Sequence, residues 1–192
     1  MVLGKQRTRM HIRETGISGC YIIEPAVFED KRGYFFESFN KKMLESKLGY
    51  VLDFVQDNQS QSSYGVIRGL HMQLEEMAQS KLVRAIQGSI LDVIVDLRPG
   101  SETFGKYFSI TLSEENKKQL FIPKGFAHGF AVLSEKATIH YKADNYYAPT
   151  HESGIIFNDP DLNIDWQLND NEIITSDKDL SLPTFMNFKK NN

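Results

Sequence analysis

Short segments in which apolar and polar residues alternate, each broken by turn-forming residues, make up most of this chain. Alternation with a period of two puts successive side chains on opposite faces of a strand, so it predicts half-buried β-strands. Residues 82–97 are aliphatic and β-branched with one interruption at 87–89, which predicts a β-hairpin. Further strands are predicted at 21–24, 34–39, 104–112, 130–133 and 137–143. The pattern predicts an all-β fold, either a sandwich or a small barrel.

Only one segment has a clear helical pattern. Asn40 is a suitable N-cap, Leu44 and Leu48 lie four residues apart on one face, and Gly49 can end the helix. A second helical turn is predicted at residues 113–118. The helices are therefore expected to be few, short and peripheral to the strands.

Charge and cysteine content exclude several classes of protein. Lys and Arg number 22 against 25 Asp and Glu, so the net charge is −3 and no general attraction to nucleic acid or to an anionic membrane is expected. Cys20 is the only cysteine, which excludes an intrachain disulfide and a multi-cysteine zinc site. No apolar run approaches the roughly 18 residues that span a bilayer. We expect one cytoplasmic domain over residues 1–192, with its core at about 19–180 and a polar tail after Trp166 packed outside; residues 1–10 receive no assignment.

Two histidines, an aspartate and a tyrosine are candidates for chemistry. The turn before His128 and its apolar neighbours are typical of a buried strand, and burial favours the neutral imidazole that can act as a base or bind a metal ion. For His128 and for His71, the alternative is a core side chain satisfied by one hydrogen bond. Asp92 interrupts an aliphatic run, so it either lies at an edge or pairs with a cationic group such as one of these histidines. Alternation turns Tyr141 inward, as a general acid or as an ordinary core tyrosine.

An anionic ligand would need a local cluster of cations, because the net charge does not attract it. Four basic residues are candidates for such a cluster: Arg32, Arg68, Lys81 and Lys178. Taken alone, each is better interpreted as a solvated surface charge. Tyr146 and Tyr147 are adjacent, so at most one of them stacks easily on a planar ring. The chain has no Gly-rich or Walker-type phosphate loop.

Seven stretches of the chain, in order, resemble the dTDP-4-dehydrorhamnose 3,5-epimerase family. They are residues 32–38, 54–58, 66–73, 78–84, 122–130, 141–142 and 145–147. The similarity extends from about Gly19 to about Asp179, nearly the whole chain. It implies a cupin-type double-stranded β-helix, or jelly roll, that forms a homodimer and needs no cofactor or metal. The implied reaction converts dTDP-4-dehydro-6-deoxy-D-glucose to dTDP-4-dehydro-L-rhamnose in dTDP-L-rhamnose synthesis.

The resemblance also implies roles for individual residues. His71 would be the base, oriented and polarised by Asp179, and Tyr141 would be the acid on the opposite face of the sugar. Lys81 would lie beside the carbonyl oxygen and stabilise the enolate, and Tyr147 would stack on the thymine. The other residues implied to line the sugar-nucleotide site are Arg32, Glu37, Gln56, Asn58, Arg68, His128, Glu152 and Lys178.

Three departures from the family pattern concern substrate details. Met72 replaces an aromatic residue, Ser80 replaces a smaller one, and residues 74–77 lack a proline. They leave open a relative that inverts only C3 or only C5, or that acts on another 4-keto-deoxysugar nucleotide.

Two further alternatives change the class of protein. A metal-dependent cupin usually has two histidines one residue apart, but Gln73 occupies the second position here. His71, His128 and Glu76 would then have to bind the metal ion. A non-catalytic sugar-nucleotide-binding cupin is the other alternative, and it would need neither a base nor an acid.

Overall fold

The computed structural model describes residues 10–191, and in this part of the chain the strands form two antiparallel sheets and a separate two-stranded ribbon. Residues 1–9, which lie in the segment without an assignment, are outside the described residues. In spatial order, the six-stranded sheet contains β1 (His11–Glu14), β2 (Tyr21–Glu24), β10 (Gln119–Ile122), β7 (Lys81–Gln87), β12 (Lys136–Ala143) and β5 (Gln56–Ser63). The five-stranded sheet contains β13 (Glu152–Gly154), β6 (Ile67–Gln73), β11 (Phe126–Val132), β8 (Ser89–Asp96) and β9 (Tyr107–Ser113). The ribbon consists of β3 (Val27–Asp30) and β4 (Gly33–Phe36).

The helices are short and lie outside the sheets. They are α1 (Lys41–Leu48), α2 (Asp177–Leu180) and α3 (Phe185–Asn191). The two facing antiparallel sheets and these few short helices confirm the predicted all-β class, and they have the arrangement expected of a jelly roll.

The predicted hairpin over residues 82–97 is wrong. β7 pairs with β10 and β12, whereas β8 pairs with β11 and β9, so the two consecutive strands belong to different sheets. Gly88 joins them at φ +69°, and a Cβ there would lie 2.0 Å from the Lys136 carbonyl oxygen. This position requires glycine, which lets the chain cross sharply from one sheet to the other.

The apolar core has two main layers. Between the sheets lie the inward side chains of both, among them Val83, Ile90, Ile94 and Ile139. A second cluster covers the outer face of the five-stranded sheet, where the C-terminal segment buries Phe157, Trp166 and Phe188. The segment after Trp166 contributes Phe188 to this cluster, with Leu168, Ile173 and Phe185 packed against it.

The predicted helix is confirmed and the predicted second helical turn is not. The Asn40 side chain caps α1 by accepting a hydrogen bond from the Met43 amide, and Gly49 ends it at φ +79°. Residues 114–116 form a turn instead of a helix. There, the Asn116 amide oxygen accepts hydrogen bonds from the backbone amides of Ser113 and Lys118. The Lys117 amide still bonds to the Ser113 carbonyl oxygen, but the Asn116 side chain takes up the Lys118 amide, so no second helical bond follows.

The β3–β4 ribbon pairs with neither sheet and exposes aromatic side chains. Phe28, Tyr34 and Phe35 are all exposed, and Phe35 is 69% accessible. The aromatic strand predicted at 34–39 ends at Phe36.

Cys20 is a buried free thiol. Among the described helices, none is both long enough and apolar enough to cross a membrane.

Candidate active site

A cavity of about 380 Å³ opens between the two sheets. Each sheet contributes inward side chains because alternate residues of its strands face the partner sheet. Eight of the residues singled out from the sequence line it: Asn58, Arg68, His71, Lys81, His128, Tyr141, Lys178 and Asp179. Residues from β5, β6, β7, β11, β12 and α2, distant in the chain, therefore meet in one place.

His71 and Asp179 form a hydrogen-bonded pair in this cavity. The imidazole Nε2 of His71, on β6, lies 2.5 Å from Oδ1 of Asp179, on α2. The His71 side chain remains 29% exposed, while that of Asp179 is 6% exposed. Burial lowers the pKa of His71 below its ordinary value, against the opposing effect of the Asp179 carboxylate. The lowered pKa favours the neutral ring, and a proton on the Nε2 that faces Asp179 would leave the Nδ1 lone pair able to accept a proton.

A second pair, His128 and Asp92, lies deeper in the five-stranded sheet. His128 Nε2 on β11 is 2.8 Å from Asp92 Oδ1 on the neighbouring strand β8. The Asp92 side chain is fully buried, and its Oδ2 makes no hydrogen bond to any residue that the structure describes. This confirms the interpretation of Asp92 as the partner of a histidine.

Lys81 and Tyr141 enter the cavity from the opposing sheet. Lys81 makes no hydrogen bond or ion pair with residues 10–191, and it lines the cavity together with both histidines. Burial lowers the pKa of Lys81 to about 8, although the carboxylates of Asp92 and Glu152 act in the opposite direction. Burial likewise raises the pKa of Tyr141, so its phenol stays protonated and can donate.

The predicted residues Gln56, Tyr147 and Glu152 form a polar rim next to the cavity, joined to its lining residues Asn58 and Lys178. The Lys178 ammonium lies 2.6 Å from Glu152 Oε2, and the Tyr147 hydroxyl donates to the same oxygen at 2.8 Å. Burial alone would raise the pKa of Glu152, but these two hydrogen bonds hold it below its ordinary value. Gln56 accepts a hydrogen bond from the Tyr147 amide and donates one to Asn58. The Tyr147 ring is left half exposed beside the cavity mouth.

Arg68 is exposed to solvent and also lines the cavity. Its Nε donates to Ser62 Oγ at 3.0 Å, which fixes the guanidinium at the entrance. With Lys81 and Lys178, it forms the local cluster of cations that the net charge does not supply.

Two residues predicted for this site lie elsewhere in the single chain. Arg32 is on the turn of the ribbon, 83% exposed and paired with Asp30. Glu37 follows the ribbon, and its Oε1 accepts a hydrogen bond from the side-chain amide of Asn40. Neither lines the cavity.

The ligand set of the metal-dependent alternative does not come together in the described part of the chain. Glu76 Oε1 is 3.4 Å from His151 Nε2 on the protein surface, and with Glu75 they form an exposed group. Glu76 is therefore absent from the cavity lined by His71 and His128.

Two serines not predicted from the sequence also line the cavity. Ser60 follows Asn58 by two residues on β5, so alternation along that strand was the signal for it. Ser176 caps α2 by accepting a hydrogen bond from the Asp179 amide. Its signal was the capping preference of serine before Asp177.

In chemical terms, the cavity places a neutral imidazole and a protonated phenol on facing sheets, with an ammonium group between the same walls. Such a set can remove a proton from carbon beside a carbonyl, stabilise the oxyanion and return a proton.

Comparison with known proteins supplies a family. The model of the family described as dTDP-4-dehydrorhamnose 3,5-epimerase matches residues 14–187. An Escherichia coli (strain K12) dTDP-4-dehydrorhamnose 3,5-epimerase is 54% identical over 157 residues, which are 82% of this chain and 85% of that protein. The crystal structure of the enzyme of the same name from Elizabethkingia anophelis NUHP1 has a TM-score of 0.91 and 52% identity, covering 94% of this chain and 98% of its own. A Legionella pneumophila dTDP-6-deoxy-D-glucose-3,5-epimerase, solved with dTDP-4-keto-L-rhamnose, has a TM-score of 0.88 and 48% identity over 92% and 93% of the two chains.

Proposed function

This chain belongs to the dTDP-4-dehydrorhamnose 3,5-epimerase family, and we propose that it converts dTDP-4-dehydro-6-deoxy-D-glucose to dTDP-4-dehydro-L-rhamnose. It is an isomerase of the dTDP-rhamnose pathway. The observation that carries the mechanism is the placement of His71 and Tyr141 on facing sheets of one cavity that also holds the Lys81 amine.

The reaction needs only proton transfers. The C4 carbonyl makes the hydrogens on C3 and C5 acidic, so His71 Nδ1 takes the proton from one face of the sugar. The C–H electron pair forms the enolate double bond, and the carbonyl π pair moves to the oxygen. Tyr141 then donates its proton to the carbon from the opposite face, which inverts that centre. The imidazolium and the phenolate return to their starting states by proton exchange with water.

Asp179 and Lys81 make this sequence of steps feasible. A histidine with an ordinary pKa near 6.5 is a weak base for a carbon acid, so the enolate must be stabilised. The Lys81 ammonium supplies that stabilisation at the developing oxyanion. Asp179 holds His71 in one tautomer through the 2.5 Å hydrogen bond and stabilises the imidazolium after proton transfer.

The rim residues would bind the nucleotide part of the substrate. Arg68 and Lys178 are placed to hold a diphosphate, which explains how a chain with a net charge of −3 binds an anion. Substrate binding then competes with Glu152 for the Lys178 ammonium. The half-exposed Tyr147 ring is available for stacking on thymine.

A homodimer would also account for the two predicted residues that lie outside the cavity. The ribbon that carries Arg32 pairs with neither sheet and exposes Phe28 and Phe35, a surface that a second copy of the chain can bury. We propose that this ribbon brings Arg32 and Glu37 to the partner subunit's cavity. Mixing two inactive variants, Arg32→Ala and His71→Asn, should then yield mixed dimers more active than either parent. Light scattering showing monomers, or mixtures without any gain, would overturn this arrangement.

The experiment that tests the function is deuterium incorporation into dTDP-4-dehydro-6-deoxy-D-glucose in D₂O, after dialysis of the protein against a chelator. Deuterium at both C3 and C5 supports a double epimerase that needs no metal. Deuterium at one carbon would identify a single-site relative, and tight binding without exchange would identify a non-catalytic module. Activity that returns only with added metal would contradict the prediction that no cofactor is needed. Cytoplasmic localisation stays a prediction.

A further inference from the structure

Gln73 joins two loops to the strand that carries the proposed base. It is the last residue of β6, two residues after His71, and its side chain is only 5% exposed. The amide Nε2 donates to the carbonyl oxygens of Met77 at 2.6 Å and Tyr146 at 3.1 Å. Its Oε1 accepts from the Ala148 amide at 2.8 Å. All the bonding capacity of this amide nitrogen is thus used on the backbone of neighbouring segments.

The bonds to Tyr146 and Ala148 flank Tyr147 on both sides. The backbone amide of Tyr147 is held in turn by Gln56. The Tyr147 ring itself is half exposed and touches the protein through its hydroxyl bond to Glu152. Because little packs on the ring, its position depends on the backbone that Gln73 fixes.

Gln73 and His71 also lie on the same strand, β6, which fixes the distance between their backbones. Two residues of a strand span roughly 6–7 Å, and alternation gives both side chains the same face. The Gln73 side chain therefore leaves the strand on the same face as His71. Its amide group nevertheless bonds to the backbone of neighbouring loops. A metal-dependent cupin has its second histidine at this position. In this chain, Gln73 occupies it and holds loop backbone.

We propose that Gln73 is a positioning residue that sets the separation between the proton-transfer site at His71 and the stacking surface at Tyr147. This inference rests on the proposed function, and it adds a basis for selecting substrates by length. A sugar joined to a nucleoside through a diphosphate reaches both points at once, whereas a sugar 1-phosphate reaches only the first. Holding Tyr147 in place before binding lowers the ordering cost of binding the nucleoside.

The test compares Gln73→Ala with Ser134→Ala. Ser134 is another side chain that joins two backbone segments, because its Oγ donates to the Lys136 carbonyl oxygen and accepts from the Ser89 amide, but it lies outside the cavity. Gln73→Ala should raise the KM for the dTDP sugar and the Kd for dTDP by about tenfold, the scale seen when a supporting contact is removed. Its kcat at saturation should stay within about threefold, because His71, Lys81 and Tyr141 remain in place. Ser134→Ala should change none of these values.

Two more measurements separate positioning from a general structural role. With 4-keto-6-deoxyglucose 1-phosphate, which lacks the nucleoside, the exchange rate should be equal in the wild type and in Gln73→Ala. The double variant Gln73→Ala/Tyr147→Ala should bind dTDP no more weakly than Tyr147→Ala alone, since the two residues act as a unit. Gln73→Glu, which keeps the shape but cannot donate to the two carbonyls, provides the same comparison if the alanine variant does not fold.

Several results would overturn the role of Gln73. These are an unchanged KM, an equal loss on the truncated substrate, a loss confined to kcat, or additive effects with Tyr147→Ala. A wild-type protein that neither binds nor exchanges the dTDP sugar would instead overturn the proposed function itself.

Discussion

The two histidine–aspartate pairs at the cavity contain the same residue types, but different elements of the fold hold them together. His128 and Asp92 lie on neighbouring strands of one sheet, 36 residues apart in sequence. His71 lies on a strand of that sheet, but its partner Asp179 comes from a four-residue helix 108 residues later. The His71 side chain is 29% exposed, while that of His128 is 9% exposed.

This difference in construction predicts a difference in role. A pair built into the sheet is held by strand pairing and is nearly closed to solvent, which suits a fixed hydrogen bond. A pair whose histidine faces the cavity can exchange a proton with a ligand, and its aspartate can be placed only after the C-terminal segment has docked. We therefore expect the first pair to tune the site and the second to carry out the proton transfer.

The largest expected effect distinguishes the two histidines. His71→Asn should lower kcat for deuterium exchange by roughly 10²–10⁴-fold, the contribution of a general base. His128→Asn should lower kcat/KM by only about tenfold, since it removes one hydrogen-bonding group near the substrate. Circular dichroism would confirm that both variants are folded. Equal losses of kcat would show that exposure does not separate the roles of the two rings.

The next effect distinguishes the two aspartates. Asp179→Asn should lower kcat by about 10–100-fold, because a partner that orients a functional imidazole contributes on this scale. Asp92→Asn should instead lower the free energy of unfolding by about 1–3 kcal/mol, because it disturbs a fully buried hydrogen bond. Denaturant titration and steady-state kinetics measure the two quantities. Asp96→Asn, on the same strand but bonded to Arg98, Ser101 and Thr103, is the control for loss of a buried carboxylate outside the cavity.

The same two pairs show which parts of the structure the sequence can predict. Asp92 was recognisable as the partner of a histidine, because a carboxylate inside an aliphatic strand needs one. Asp179 lies in a polar segment without periodicity, and its place in the site came only from family resemblance. The hairpin over residues 82–97 failed for a related reason: alternation identifies strands, but pairing depends on contacts distant in sequence. Local signals sufficed for α1, whose cap and terminal glycine are adjacent to the helix.

The pH dependence of activity should reflect the pKa values of His71 and Lys81. The proposed base is active when neutral, and burial lowers the pKa of His71, so the acid limb of kcat/KM should lie below pH 6.5. Lys81 is active when protonated, and its pKa is lowered by burial to about 8, so activity should fall as pH rises through about 8. Tyr141 has a pKa raised by burial and should not limit this range.

The variant Asp92→Asn tests whether the buried pair, His128 and Asp92, affects this pH dependence. The Asp92 carboxylate opposes the effect of burial on Lys81, so its removal should move the alkaline midpoint to lower pH. Glu152, the other carboxylate acting on Lys81, remains in this variant, as do the cavity cations Arg68 and Lys178. An unmoved alkaline limb would indicate that Asp92 does not control the charge of Lys81.

The smallest expected effect concerns how the C-terminal segment positions its aspartate. Ser176 Oγ accepts a hydrogen bond from the Asp179 amide and so caps α2, a helix of only four residues. Ser176→Ala should lower the free energy of unfolding by about 0.5–2 kcal/mol, the usual cost of losing an N-cap. Because the capped residue is the partner of His71, kcat should fall several-fold as well, while Ser176→Thr, which retains the hydroxyl, should restore it. The alkaline limb assigned to Lys81 should stay in place in both variants, since the buried pair is untouched. Loss of stability without any change in kcat would mean that Asp179 is held by packing of the tail rather than by its cap.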